Sequence, residues 1–439
     1  MVTNKKRTPW KELRLNVESI LSDLIQIQTV NPPGRELELA HYLRELFDRY
    51  GIANEIIEPA PGRASFLAYL GEGKKRLLYL SHTDVVPVTE GWSFPPFSGD
   101  IKDGFVHGRG ALDCKGLVAA EAFAFIRLAQ ENKLKGRLTF AATADEETGG
   151  KFGVRYLVQN CREKLEADFA INEGAEPPVQ FDGTKFHFIG TGEKGLAWVK
   201  LKSSGFSSHG SLPMLGENAV VKMADIIKNL SDYQPQVLLI PEVKKLFSKV
   251  AELQGINKEI TAKDIDHIID NMNDRTFAGY LTAITRMTAS PNIVHGGVKT
   301  NIIPDSCEAE IDIRFMPGQD RSYVLDELGK ITGDAETEIT QYNSPTFSDA
   351  DSEFYHVIEG TLKEFIVDSP VVPSITSGGT DSRFLRDIGI PCYGVGVMTF
   401  KSDQSMRQAV HGKDEKLDIE SLRLKSDFLK KLAENYLSG

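Results

Sequence analysis

The stretch Arg76–Pro87, RLLYLSHTDVVP, decides how the rest of the chain is read. Leu77, Leu78 and Leu80 give it the apolar run of a strand, which stops on His82 with Asp84 two residues further on. Such an end is either one wall of a site or a strand capped by a half-exposed histidine, and its company decides which. Two further apolar strands end the same way. Arg137–Ala144 (RLTFAATA) runs into Asp145, Glu146 and Glu147, and Ala167–Asn172 runs into Glu173. Apolar strands alternating with helical patterns predict a largely parallel sheet, whose ligands gather at the carboxyl ends of strands. His82, Glu146, Glu147 and Glu173 all fall at such ends, and acidic groups collected there repel unless something positive lies between them.

Upstream, Leu13, Val17, Ile20, Leu21, Leu24 and Ile27 have helical spacing, and Pro32-Pro33-Gly34 stops that helix. A second helix is expected over about Glu36–Tyr50, then strands Ser65–Leu70 and Arg76–Ser81 joined by the turn 71–75. With 439 residues the chain is too long for one core. Its 51 basic against 62 acidic residues, a net charge of -11, argue against a nucleic-acid partner. No segment is apolar enough to span a bilayer, and the basic MVTNKKRTPW start leads into an amphipathic pattern, not the apolar core of a signal peptide. Cys114, Cys161, Cys307 and Cys392 lack metal-binding spacing and suit a reducing compartment. These features predict a soluble cytoplasmic protein.

Two more residues stand at loop-to-helix junctions. Asp113 precedes a helical pattern over Cys114–Gln130, where a carboxylate commonly caps the helix. His411 follows an expected strand over Ile390–Met398 and opens HGKDE before a long amphipathic helix; a solvated loop histidine is its ordinary alternative. Between these halves the chain changes character. Strand (Leu196–Leu201), helix (Glu217–Leu230), a partly helical stretch to about Asp274, two strands, helix (Ser322–Ile331) and strand (Glu336–Gln341) make a βαββαβ, ferredoxin-like order. The expected division is therefore 1–192 with 346–439 as the main domain and 193–345 as an insertion, whose sheet edge could pair with a second copy.

Two histidines with several carboxylates and no thiolate suit a hydrolytic site of two cations roughly 3.5–4 Å apart. Asp113 is the natural bridge, and Asp84 can orient His82 by accepting its other ring N–H. Of Glu146 and Glu147, one can ligate while the other serves as general base; the pattern does not say which.

The motifs SHTDVVP, GRGALDCKG, ADEETGG, INEG, SSHGSLP, TNIIPDSCEAEIDIRFMPG, SGGTDSR and HGKDE span nearly the whole chain, and together they resemble the M20 metallopeptidase and deacylase family. That family includes acetylornithine deacetylase, succinyl-diaminopimelate desuccinylase, aminoacylase-1 and carboxypeptidase G2. The resemblance implies a zinc-peptidase-like α/β domain, its sheet sandwiched by helices, with a lid and dimerisation domain inserted. It implies two divalent cations, zinc first and cobalt as the alternative. One would be held by His82, Asp113 and Glu173, the other by Asp113, Glu147 and His411. Glu146 would be the base and Asp84 would support His82. His209 in SSHGSLP would reach across a homodimer to the oxyanion. Asn301 and Arg314 would bind a substrate carboxylate, and Gly379 and Thr380 would lie in the active-site loop. For Arg314 a surface ion pair is the ordinary alternative, and for Gly378–Asp381 a simple turn. Cys114 departs from relatives with Met or Asp there. The implied activity is hydrolysis of the amide bond of N-acyl amino acids or short peptides. The alternatives are a dipeptidase, or a silent dimeric relative that binds amino-acid derivatives.

Overall fold

The computed structural model describes residues 15–175, 177–366, 369–399 and 409–438; Leu13 and the MVTNKKRTPW segment lie outside the described residues. The chain forms two compact units, one comprising Met1–Glu166 with Val397–Gly439, the other Ala167–Gly396.

The first unit opens with α1 (Val17–Gln26), capped by the Asn16 side chain, and α2 (Glu36–Asp48). Strands β1 (Asn54–Ala60), β2 (Arg63–Leu70) and β3 (Arg76–His82) follow, then the short β4 (Ile101–Lys102) and β5 (Phe105–His107). Helix α3 (Lys115–Glu131), β6 (Arg137–Thr143) and α4 (Val154–Asn160) complete the run before the chain leaves the unit. The order β1-β2-β6-β3 puts β6 between β2 and β3, so the two strands flanking the 71–75 turn do not pair with each other. β3 and β6 are parallel, in register from Arg76 opposite Arg137 to His82 opposite Thr143. Leu77, Leu78, Tyr79 and Leu80 are all fully buried, which is why β3 reads as a continuous apolar run. Phe47, Phe66, Phe125 and Phe140 bind α2, β2, α3 and β6 into one aromatic core. β1 was not expected from sequence: it is a half-buried edge strand, broken by a register shift at Glu58-Pro59, so its apolar pattern is weak. On return, the strand Lys416–Asp418 pairs with β5, and Asp418 caps the C-terminal helix Ile419–Leu437. HGKDE therefore leads into a short strand and only then into the helix.

The second unit has two sheets. In the first, β7 (Phe169–Asn172), β8 (Val179–Phe181) and β9 (Thr184–Glu193) are joined later by other strands, and β9 leads into β10 (Gly195–Ser204). The chain continues through α5 (Ala219–Asp232), α6 (Pro241–Leu253), α7 (Ile265–Asp270), α8 (Arg275–Ala283), β11 (Thr288–Gly296), β12 (Ser306–Phe315), α9 (Arg321–Thr332) and β13 (Glu336–Asn343). It closes with β14 (Thr346–Phe347), α10 (Glu353–Phe365), β15 (Val371–Thr376), α11 (Ser382–Asp387) and β16 (Cys392–Val395). The strand expected over Ile390–Met398 is thus shorter. The first sheet runs β7-β16-β9-β14, with β15 and β8 also on β9; the β7/β16 and β15/β9 pairs are parallel. The second runs β11-β12-β10-β13, antiparallel throughout, the strand order of a split βαββαβ module. Its core is Ala197, Val199 and Leu201 against Met223, Ile311, Ile313 and Leu328. Helices α6–α8 pack instead around Phe186, Phe188 and Val372 of the first sheet.

Candidate metal centre

Three segments of the first unit meet at Asp113. Its Oδ1 lies 2.8 Å from His82 Nε2 and its Oδ2 2.9 Å from His411 Nε2. His411 Nε2 is in turn 3.4 Å from Glu147 Oε2. Ligand-capable atoms of His82, Asp113 and Glu147 lie within 4.8 Å of one another. The carboxylate expected either to bridge or to cap does not cap, because Cys114 occupies the N-cap position of α3 without a side-chain bond. Burial pushes the Asp113 carboxyl up, but the hydrogen bonds from His411 and His82 outweigh it and hold it below the usual range. The same contacts to Asp113 and Glu147 push His411 up to about 10.

Imidazoles and carboxylates are the donor set that binds a divalent cation through nitrogen and oxygen. Glu147 adds a direct sign that the group fits: its Oε1 is buried and has no hydrogen-bond partner among the described residues. The Cys114 thiol is buried at the end of β3, where Sγ receives the His82 N–H at 3.3 Å.

Asp84, fully buried, does two jobs. Its backbone carbonyl, 3.0 Å away, pairs with His82 Nδ1, which leaves Nε2 to face Asp113. The Asp84 carboxylate, expected to orient His82, is 3.6 Å from that nitrogen. It accepts instead the N–H groups of Glu146 at 3.1 Å and Glu147 at 3.2 Å. Those two glutamates sit on a 3₁₀ turn after β6, and Asp84 holds the turn by its amides.

Glu415 went unrecognised as a functional residue, since in HGKDE it reads as one more solvated charge. It is fully buried and accepts Leu112 N–H at 2.7 Å, Asp113 N–H at 3.1 Å, Gly110 N–H at 3.0 Å and Arg109 Nη1 at 2.6 Å. Burial pushes its carboxyl up, against the pull of the Gly110 amide and Arg109. Arg109, also buried, bonds the Gly412 carbonyl at 2.7 Å and lies over the Trp92 ring. The pair locks the loop carrying Asp113 to the one carrying His411. An arginine between two glycines just before Asp113 was the signal available in sequence.

The other candidates lie in the second unit. Glu173 follows β7 and is half-buried; Gly394 beside it has no room for a Cβ, which would stand 2.8 Å from the Glu173 carbonyl. His209 and Asn301 are brought together: Gly210 N–H donates to the Asn301 carbonyl at 2.9 Å, and His209 bridges Ile302. Both are exposed. His209 Nδ1 accepts the Ser211 N–H at 3.2 Å, so a neutral ring carries its proton on Nε2. Arg314 forms the alternative foreseen for it, a two-pronged ion pair with Asp312 at 2.7 and 3.1 Å. Thr380 donates its N–H and hydroxyl to buried Glu193, at 2.5 and 3.2 Å, while Gly379 packs by Arg383 and the same carboxylate. Arg386 completes the hold on Glu193 at 2.9 Å.

The model of peptidase family M20/M25/M40 matches residues 78–435. The chain belongs to this family. It is 28% identical over 378 residues to a probable succinyl-diaminopimelate desuccinylase of Staphylococcus aureus, covering 84% of this chain and 86% of that one. The M20 metallo-carboxypeptidase Sso-CP2 of Sulfolobus solfataricus shares the fold at a TM-score of 0.72 and 23% identity, over 96% of this chain and 99% of that one. The YXEP protein of Bacillus subtilis, a dinuclear metal binding peptidase of the M20 family, does so at 0.62 and 16%, over 96% and 97%. The chain is thus an M20 hydrolase of mixed α/β fold. No helix among the described residues is long and apolar enough to cross a membrane.

Proposed function

We propose that the protein hydrolyses the amide bond of N-acyl amino acids or short peptides with two divalent cations, zinc first and cobalt as the alternative. The observation that carries this is Asp113, whose two oxygens are shared between His82 and His411. His82, Asp113 and Glu173 are assigned to one cation, and Asp113, Glu147 and His411 to the other. When bound, the cations supply Lewis acidity toward the scissile carbonyl and toward water. Glu146, held at the end of β6 by the Asp84 carboxylate, takes the proton of the attacking water and hands it to the departing amine. His209 offers Nε2–H to the oxyanion, and Asn301 and Arg314 receive the substrate carboxylate, Arg314 by exchanging Asp312 for it. Gly379 and Thr380 lie in the loop that binds the substrate, which the two bonds from Thr380 to Glu193 hold in place.

Residues 193–345 are assigned as the lid and dimerisation domain of a homodimer, with 1–192 and 346–439 as the catalytic domain. Support comes from edge strand β11, where Ile293 and Val294 are exposed, and from exposed Met214, Leu215, Val221 and Val298 within the same 193–345 segment. Four free cysteines support a cytoplasmic location. The test is turnover of a panel of N-acyl amino acids and dipeptides, with metal counted per chain. Hydrolysis lost to a chelator and restored by zinc or cobalt is expected; two bound metals with no turnover across the panel would favour the silent amino-acid-derivative binder.

A further inference from the structure

The NPPG segment, residues 31–34, has so far served only as the end of a helix, yet its asparagine reaches the turn that carries the two glutamates. Asn31 is buried, and its backbone runs beside Asp84: Asn31 N–H donates to the Val85 carbonyl at 2.9 Å and Val85 N–H to the Thr29 carbonyl at 3.1 Å. Its side-chain Nδ2 faces three acceptors, Asp84 Oδ2 at 2.8 Å, Asp145 Oδ1 at 3.0 Å and Thr148 Oγ1 at 3.0 Å. Those three residues flank Glu146 and Glu147 on every side: Asp84 holds their amides, and Asp145 and Thr148 are the residues before and after them.

Asp145 is itself over-determined. It is a non-glycine residue at a φ of 70°, a conformation that persists only where the surroundings enforce it. Its carboxylate receives Asn31, the Thr148 hydroxyl, the Phe152 N–H at 3.0 Å and Arg63 Nη2 at 2.7 Å. Arg63 is anchored from behind by Glu36, with both contacts at 2.8 Å. Gly34 makes room for this guanidinium, since a Cβ there would stand 2.3 Å from Arg63 Nε, and its φ of 76° favours glycine besides.

We propose that Asn31 is a positioning residue for the reaction: its amide ties Asp84 to Asp145 and so aims Glu146 at water and Glu147 at its cation. This rests on the roles given to Glu146 and Glu147 above. A neutral donor suits the place, because it joins two like-charged carboxylates without adding a cation that would compete with the metals.

The test compares Asn31→Ala, Asn31→Ser and Asn31→Asp, each alone and with Glu146→Ala. Readouts are kcat, KM and the affinity of each cation measured by chelator competition. Asn31→Ala is expected to lower kcat about 10–100-fold with KM little changed and to weaken the cation of Glu147 by a similar factor. Asn31→Ser, which keeps one donor, recovers part of this. Asn31→Asp, the same shape with the donor reversed, is the worst. In the Glu146→Ala background at saturating metal, Asn31→Ala costs no further turnover, while its weakening of the cation of Glu147 remains. If Asn31→Asp is milder than Asn31→Ala, or the loss of turnover at saturating metal persists undiminished without Glu146, the proposal is overturned. Should Asn31→Ala not fold, Asn31→Ser is judged by the same two criteria. High turnover by Glu146→Ala alone would sink the base assignment instead, leaving the cation affinities to decide the role of Asn31.

Discussion

Glu415→Gln changes one atom and should be severe. The two carboxylate oxygens divide four donors, Leu112 and Asp113 N–H on Oε1, Arg109 and Gly110 on Oε2. Glutamine keeps one acceptor oxygen, so whichever way the amide turns, an NH₂ group meets two donors. If it meets Arg109, a fully buried guanidinium keeps only the Gly412 carbonyl and the Trp92 face, and a buried charge stripped of its partner costs about 3–5 kcal/mol. If it meets the loop, two amides are orphaned at about 1–3 kcal/mol each. The first route costs about 3–5 kcal/mol and the second about 2–6 kcal/mol in all, either one a large share of the roughly 5–15 kcal/mol that holds a domain folded. The assay is urea unfolding of chelator-stripped protein, followed by metal competition. Because Asp113 touches both histidines, both cations should weaken, each by about 10–100-fold. Arg109→Met with Glu415→Gln should be less destabilised than the sum of the single variants, since the stranded charge is gone. A Glu415→Gln protein within about 1 kcal/mol of the parent, or strictly additive single losses, would refute the clamp.

Glu146→Ala is expected to retain two metals and lose most turnover; a variant with one metal and good activity would exchange the roles of Glu146 and Glu147. His82→Ala and His411→Ala should each weaken one metal position, and Asp113→Ala both, as read by metal counts after dialysis; two metals retained in Asp113→Ala rules out sharing. His209→Ala should fold, dimerise and bind two metals while losing about 10²–10³ in rate, the usual loss for one oxyanion donor. Mixed with Glu146→Ala it should regain part of the activity, and verified subunit exchange without recovery would count against a role across the dimer.

What was legible in the sequence was what is local. β3 and β6 are apolar runs that stop on titratable residues, which made His82, Glu146 and Glu147 candidates, as its place between a glycine-rich loop and a helix made Asp113 one, and the structure gathers His82, Asp113 and Glu147. The βαββαβ order of β10 to β13 could also be counted along the chain. Which strand lies beside which is not local: nothing in 71–75 says that β6, starting at Arg137, inserts between the strands that turn joins. The Asp84 carboxylate could be guessed to face its near neighbour His82, yet it reaches amides 62 and 63 residues on. Arg314 is the opposite case, for Asp312 two residues away lies on the same strand face, and their ion pair could have been read from period two.

The two buried carboxylates around the centre follow one physical rule. In the proposed centre Asp113 and Glu147 face cations with the base Glu146 beside them, and at an effective dielectric near 20 two like charges 4 Å apart repel by about 4 kcal/mol. Neutralising their supports with a lysine or arginine at the site would repel the cations in turn. Asp84 and Glu415 are met instead largely by backbone N–H groups, those of Glu146 and Glu147 and those of Gly110, Leu112 and Asp113, dipoles that stabilise a carboxylate without adding a charge. The guanidinium groups are kept off the ligands: Arg63 binds Asp145 and Arg109 binds Glu415, neither of which is a proposed ligand. Fixing loops by their own amides also aims the side chains, because the N–H groups held belong to the residues that act or to their immediate neighbours. That leaves the centre rich in negative charge and shaped before any cation arrives.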